Sequence, residues 1–119
     1  MVGRPAIVEL GATPMPDGEL VARMFRTLGD ATRLAIVELL ISEGELYQVE
    51  IVERLGASQA RVSEHLACLT WCGFVSARTE GRKTIYRVSN RRVRSLVSSA
   101  HRFLDSNQAA IASCRRLKA

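Results

Sequence analysis

The chain has 119 residues, 47% hydrophobic and 24% charged, with a formal net charge of +5. That suits one soluble globular domain with a modest core and leaves little room for a second. Three cysteines are too few, and odd, for a secreted disulfide scaffold, and two scattered histidines exclude metal-hydrolase or triad chemistry.

Residues 1–17 hold Gly3, Pro5, Gly11, Pro14 and Pro16 and read as a flexible N-terminal arm. With no basic–apolar–small leader, a cytoplasmic location is expected. A first helix is predicted over Gly18–Leu28, with Leu20, Met24 and Leu28 at helical spacing. Gly29 closes it, and Asp30 stands where an N-cap would. The second helix, Ala31 to about Ser42, is apolar on most sides and belongs in the core. Its run Leu34–Ile41 is broken by Glu38 and is too short to span a bilayer, so no membrane partner is expected.

A short third helix is predicted over Gln48–Leu55, with Val49, Val52 and Leu55 inward, and Gly56 breaks it. Ser58 can cap a fourth helix running to about Cys72, with Gly73 at its end. Helix, brief glycine-containing turn, helix is the spacing of a helix-turn-helix. The period then falls from 3.6 to 2. Phe74, Val75, Ala77 and Thr79 precede Glu80-Gly81-Arg82, and Thr84 to Val88 follow, which reads as a hairpin. Asn90 is a plausible cap for a last helix carrying Val93, Leu96, Val97, Ala100, Phe103 and Leu104 on one stripe. Ala110, Ile111 and Cys114 continue that stripe.

The fold class is therefore mainly α with a β-hairpin wing, a winged helix-turn-helix. The expected organisation is an arm over 1–17, a DNA-binding and dimerisation domain over 18–105, and a tail or helix extension over 106–119 carrying Cys114. Leu20, Met24, Leu96, Val97, Ala100, Phe103 and Leu104 are more apolar surface than so small a core needs, so a homodimer is expected through the first and last helices.

The charge is unevenly spread. Residues 1–60 carry five basic and nine acidic residues, and residues 61–119 carry twelve and three, so the halves stand at −4 and +9. Such a basic half is either a solvated face or a surface for a polyanion. The wing and reading helix favour double-stranded DNA. The polar start of the fourth helix, Ser58, Gln59, Arg61, Ser63, Glu64 and His65, is the candidate for the major groove. Gln59 has the geometry to read adenine, and Arg61 guanine. Arg78, Arg82 and Lys83 on the hairpin would hold phosphates or enter the minor groove. Glu64 and His65 read equally well as solvated surface residues.

Cys68 and Cys72 stand at i and i+4 on the fourth helix, so both thiols share a face. They lie about 90–130° from the centre of its apolar stripe, Val62, Leu66 and Leu69. Two readings of the pair remain open: small half-buried fillers, or the beginning of a metal site. No nucleophile–base pair, phosphate-cradling glycine loop or acidic dyad is present, which excludes an enzyme.

The runs "LGDATRLAIVELL" from Leu28 and "SQARVSEHLACLTWCGFVSARTEGRKTIYRVS" from Ser58 resemble the ArsR/SmtB family of metal-responsive repressors, over about residues 20–104. The resemblance implies a homodimer that binds operator DNA when metal-free and is released by metal. One family site uses a Cys-x-Cys-like run before the reading helix, where this chain has Tyr47 and Val49. Another uses paired Asp/His ligands on the last helix, where only His101 and Asp105 occur. A third arrangement, a Cys-x3-Cys pair on the reading helix plus a C-terminal cysteine, is matched by Cys68, Cys72 and Cys114, as in the CmtR-like cadmium- and lead-sensing branch. Three thiolates favour the soft ions Cd2+ and Pb2+, and Hg2+ on the same chemistry, as inducer. A thiol redox sensor on the same fold is the alternative.

Overall fold

The structure is a computed structural model and describes residues 16–116. The arm expected over 1–17 lies almost wholly outside the described residues. The chain divides after Ser89 into two units, residues 1–89 and 90–119.

In the first unit, helix α1 covers Asp17–Leu28 and helix α2 covers Ala31–Glu43. The Pro16 carbonyl accepts from the amides of Glu19 and Leu20, and Asp17 and Glu19 place negative charge in the first turn, where free N–H groups favour it. Asp30 is the N-cap of α2: its Oδ1 accepts from the Arg33 amide at 3.0 Å. Ile36, Val37 and Leu40 on α2 are fully buried, as its all-round apolar sequence predicts.

Strand β1, Leu46–Tyr47, follows, and helix α3 runs Gln48–Leu55. Glu50 reaches back to accept from the Tyr47 amide at 2.8 Å and fixes the start of α3. The side of α3 turned inward differs from the expectation. Ile51 is fully buried, whereas Val49 is 54% exposed. Val52 and Leu55 are half-buried, so the expected face is right but off-centre: on so short a helix periodicity alone admits Val49 and misses Ile51. Gly56, at φ +67°, supplies the left-handed residue that ends α3 and turns the chain.

Helix α4 runs Gln59–Trp71, and Ser58 Oγ accepts from the Arg61 amide at 3.2 Å. Val62, Leu66 and Leu69 are buried along one face, which anchors the helix and leaves its opposite side outward. Deleting such a side chain costs about 2–5 kcal/mol in a close-packed core. Strands β2, Val75–Glu80, and β3, Lys83–Val88, form the hairpin around Gly81-Arg82. Pairing is antiparallel from Val75 opposite Val88 to Glu80 opposite Lys83, and β1 adds to β3 on its other edge.

The second unit is helix α5, Arg91–Ser113, with Asn90 Oδ1 accepting from the Arg92 amide at 2.8 Å. It runs unbroken past residue 105 to Ser113, and Cys114 is its C-cap.

Candidate nucleic-acid interface and thiol pair

The turn at Gly56-Ala57-Ser58 joins α3 to α4 and presents the first turns of α4 outward. Ser58, Gln59, Arg61, Ser63 and Glu64 are all exposed there, and His65 is half-buried. Arg61 makes one long hydrogen bond, Nη2 to Thr32 Oγ1 at 3.4 Å. His65 is held from behind. Arg33 Nη1 lies 3.3 Å from its Nδ1, and Arg33 Nε donates to the Thr27 carbonyl at 2.7 Å. A guanidinium only donates, so in this pair Nδ1 is the accepting atom. No spacing along the chain marks this brace, which joins residues 32 positions apart.

The wing treats its three expected cations differently. Arg82 is exposed in the hairpin turn. Lys83 Nζ lies over the Tyr47 ring, 5.1 Å from its centroid. Arg78 is occupied: it forms two hydrogen bonds to Glu45, at 2.6 and 3.0 Å, and one to Glu80 at 3.0 Å. Those bonds hold both carboxyls below the usual carboxylate range and keep the guanidinium charged. The other Glu80 oxygen accepts from the Tyr47 hydroxyl at 3.0 Å, and this acceptor pushes the phenol up. Glu45 and Tyr47 are partners that sequence reasoning missed. Strand β1, which carries one of them to the hairpin, is only two residues long and has no periodicity to read.

Cys68 and Cys72 are brought together. The Cys72 amide donates to the Cys68 carbonyl at 2.9 Å, one helical turn that sets the two side chains on the same side of α4. Cys68 is half-buried and Cys72 exposed. Burial pushes the Cys68 thiol up, and the neighbouring Cys72 adds to this, while the Arg33 guanidinium pulls the other way. Cys114, at the end of α5, is exposed. Among the described residues, no group of three His, Cys, Asp or Glu side chains able to hold a metal is assembled. The donor pair itself suits a soft ion: two sulfurs from one helix face, with one of them open to solvent.

Large apolar side chains are exposed singly on α3 and α4, at Val49 and Trp71, and in groups on α1 and α5. On α1 they are Leu20, Val21 and Phe25, at 40%, 47% and 56%, with Met24 half-buried. On α5 they are Phe103 and Ile111, at 65% and 48%, with Ala100 exposed and Leu96 and Leu104 half-buried. Val97 is 7% exposed and has little surface left for a partner. Val21 and Phe25 escaped the sequence reading, which followed the Leu20–Met24–Leu28 line and stopped at its edge. Among the described residues, no helix is long and apolar enough to cross a membrane.

Residues 30–77, from the Asp30 cap to the middle of β2, match the model of the arsR family of bacterial regulatory proteins. A probable mercury resistance operon repressor of Streptomyces lividans is 43% identical over 104 residues, covering 87% of this chain and 82% of its own. The transcriptional regulator CmtR of Mycobacterium bovis is 39% identical over 70 residues, 59% of this chain and 58% of its own. Among solved structures, the homodimeric winged helix-turn-helix DNA-binding domain of a possible ArsR-family regulator from Mycobacterium bovis superimposes with a TM-score of 0.67 at 29% identity, covering 88% of this chain and 91% of its own. The architecture, the family match and the extent of these likenesses lead to one conclusion: the chain belongs to the arsR family of bacterial regulatory proteins, winged helix-turn-helix regulators of transcription rather than enzymes.

Proposed function

We propose that this chain is a repressor released from operator DNA by a soft metal ion, Cd2+ or Pb2+ and on the same chemistry Hg2+. It binds DNA as a homodimer, with the start of α4 in the major groove and Arg82 and Lys83 of the wing at the backbone. Cys68, Cys72 and Cys114 would supply thiolates to the ion. The observation that carries the reading is the Cys68–Cys72 pair, two free thiols one turn apart on the helix that presents Gln59 and Arg61. Any ligand that draws those sulfurs together acts on the reading helix itself. The name of the mercury resistance repressor from Streptomyces lividans supports a thiophilic inducer. The apolar surfaces of α1 and α5 support the dimer.

Three thiolates bind thiophilic ions at low coordination number and exclude Mg2+ and Mn2+, while Zn2+ would want a fourth ligand. The test is a titration of the reduced protein, bound to a DNA fragment selected from random sequence, with Cd2+, Pb2+, Hg2+ and Zn2+. Release by the soft ions, with an ultraviolet thiolate-to-metal band, is expected for the parent and lost in Cys68→Ser and Cys72→Ser. Release that survives both substitutions places the inducer elsewhere. A second reading, a thiol redox sensor, rests on the exposed Cys72 and Cys114 thiols. It requires release by oxidant without metal, reversed by added thiol.

A further inference from the structure

A surface meant for phosphate is expected to carry free cations, yet the outer face of this wing carries two carboxylates. Directly paired residues share a sheet face, and Tyr47, Ile85 and Arg78 form one row across the three strands. Glu80 and Lys83, opposite each other, lie two residues further along on the same face. Glu45 stands just before β1. The Arg78 fork is filled by Glu45 on two nitrogens and by Glu80 on one of the same two. Glu80 is in turn fixed by the Tyr47 hydroxyl, whose ring carries Lys83.

We propose that Glu45, assisted by Glu80, sets the DNA affinity of the wing by holding the Arg78 guanidinium away from the phosphate backbone. The inference rests on the reading of the wing as a DNA-contacting element. Carboxylate and phosphate compete for the same planar fork, and the bidentate geometry that suits one suits the other. While Glu45 occupies it, Arg78 contributes no phosphate contact, and the carboxylates lower the positive potential around Arg82 and Lys83. The clamp is not needed to hold the fold. The side chains are 48%, 40% and 45% exposed, and ion pairs in such positions add little to stability. Its consequence falls instead on affinity. An effector that shifts DNA binding by about 5–150-fold can empty an operator only if the unliganded complex is not too tight. A wing with one cation neutralised keeps the complex within that range.

The experiment compares Glu45→Gln, Glu80→Gln, Arg82→Ala and the double variant Glu45→Gln/Arg78→Ala, in the reduced metal-free full chain. Binding to selected and unrelated DNA is measured as a function of salt. Glu45→Gln keeps the size and an acceptor but removes the charge. It is expected to tighten both DNAs by roughly three- to tenfold near 0.1 M salt and to steepen the log–log salt slope by about 0.9, the signature of one added phosphate contact. Glu80→Gln is expected to act in the same direction and less strongly. The double variant is expected to lose the gain, which shows that it came through Arg78. Glu45→Gln with unchanged or weaker binding overturns the clamp and makes the Arg78–Glu45 pair a strut. Arg82→Ala reports on the wing separately: weakened binding there with no gain in Glu45→Gln defeats the clamp alone. Unchanged binding in Arg82→Ala defeats the wing reading as well. Far-ultraviolet circular dichroism and thermal unfolding confirm that each variant is folded.

Discussion

Arg33 stands behind His65: its Nη1 lies 3.3 Å from the imidazole Nδ1, while its Nε donates to the Thr27 carbonyl at 2.7 Å. One side chain at the start of α2 thus ties the last turn of α1 to the middle of the reading helix. The brace holds the imidazole in one position on α4. Arg33→Ala leaves the Thr27 carbonyl and the imidazole without this partner. It is expected to cost about 1–3 kcal/mol in urea unfolding, the range for removing a partner from part-buried polar groups. It is also expected to narrow the ratio of operator to unrelated DNA affinity, because His65 is then free to turn. Arg33→Lys is expected to restore neither bond pair fully, since an ammonium cannot reproduce the fork. Unchanged stability in Arg33→Ala would show the brace to be idle.

Asp30 caps α2 through the Arg33 amide, and this bond, against a smaller opposing effect of burial, holds its carboxyl below the usual value of 3.8. A folded-state pKa below the unfolded one gives stability that is present above the unfolded value and lost as pH falls through the folded value. Asp30→Ala is expected to cost about 0.5–2 kcal/mol at pH 7. The gap between parent and variant is expected to be constant from pH 8 to 5 and to shrink below pH 4. Denaturant unfolding across that range checks it, and a gap that grows on acidification contradicts the assignment.

Phe25, 56% exposed on α1, marks the surface available to a second copy. A charge there leaves the Leu28 core position untouched but cannot be buried unpaired across an interface. Phe25→Glu is expected to shift the protein to monomers in sedimentation and to weaken binding to a two-fold site far more than to a half-site. A parent protein that sediments as a monomer rules the interface out.

Arg61 leaves α4 one turn after the cap, with a single 3.4 Å hydrogen bond to Thr32 to give up. Arg61→Ala is expected to cost about 1–3 kcal/mol on the selected DNA and much less on unrelated DNA, as loss of a bidentate base contact requires. Equal losses on both would make it a phosphate contact instead.

The parts of this molecule legible in its sequence are those governed by neighbours along the chain. The Asp30, Ser58 and Asn90 caps, the glycine stops and the hairpin turn each involve residues a few positions apart, and all appear where the sequence puts them. The contacts that change the reading of the site are non-local. Glu45 meets Arg78 across 33 positions, and Arg33 meets His65 across 32. No periodicity encodes either. The exchange of Val49 for Ile51 as a buried residue of α3 has the same origin, since the helices and strands packed around an eight-residue helix decide which side is covered. The thiol pair was legible because i and i+4 on a helix is a local relation.

Cys114 ends α5 with an extended backbone, φ −69° and ψ 112°, exposed and followed by Arg115 and Arg116. Two thiolates on one helix turn leave a soft divalent ion short of ligands, and a third sulfur raises its affinity. On the proposed reading, a third ligand from Cys114 would also join the reading helix to the terminal helix, and the ion would then favour whichever arrangement allows all three sulfurs to meet. Metal can weaken DNA binding only by binding that arrangement more tightly than the DNA-competent one, and coupling of about 1–3 kcal/mol is the usual range. Cys114→Ser is therefore expected to bind DNA as the parent does in the absence of metal. Its thiolate-to-Cd2+ band is expected to persist through Cys68 and Cys72, at lower intensity and affinity. Cd2+ is expected to release it poorly, because a metal held by the pair alone no longer ties the two helices. Gel-shift titrations with and without Cd2+, run beside an absorbance titration on the same samples, separate the three quantities. Unchanged metal affinity together with unchanged release would show Cys114 to be an idle thiol and the sensing site to lie wholly on α4.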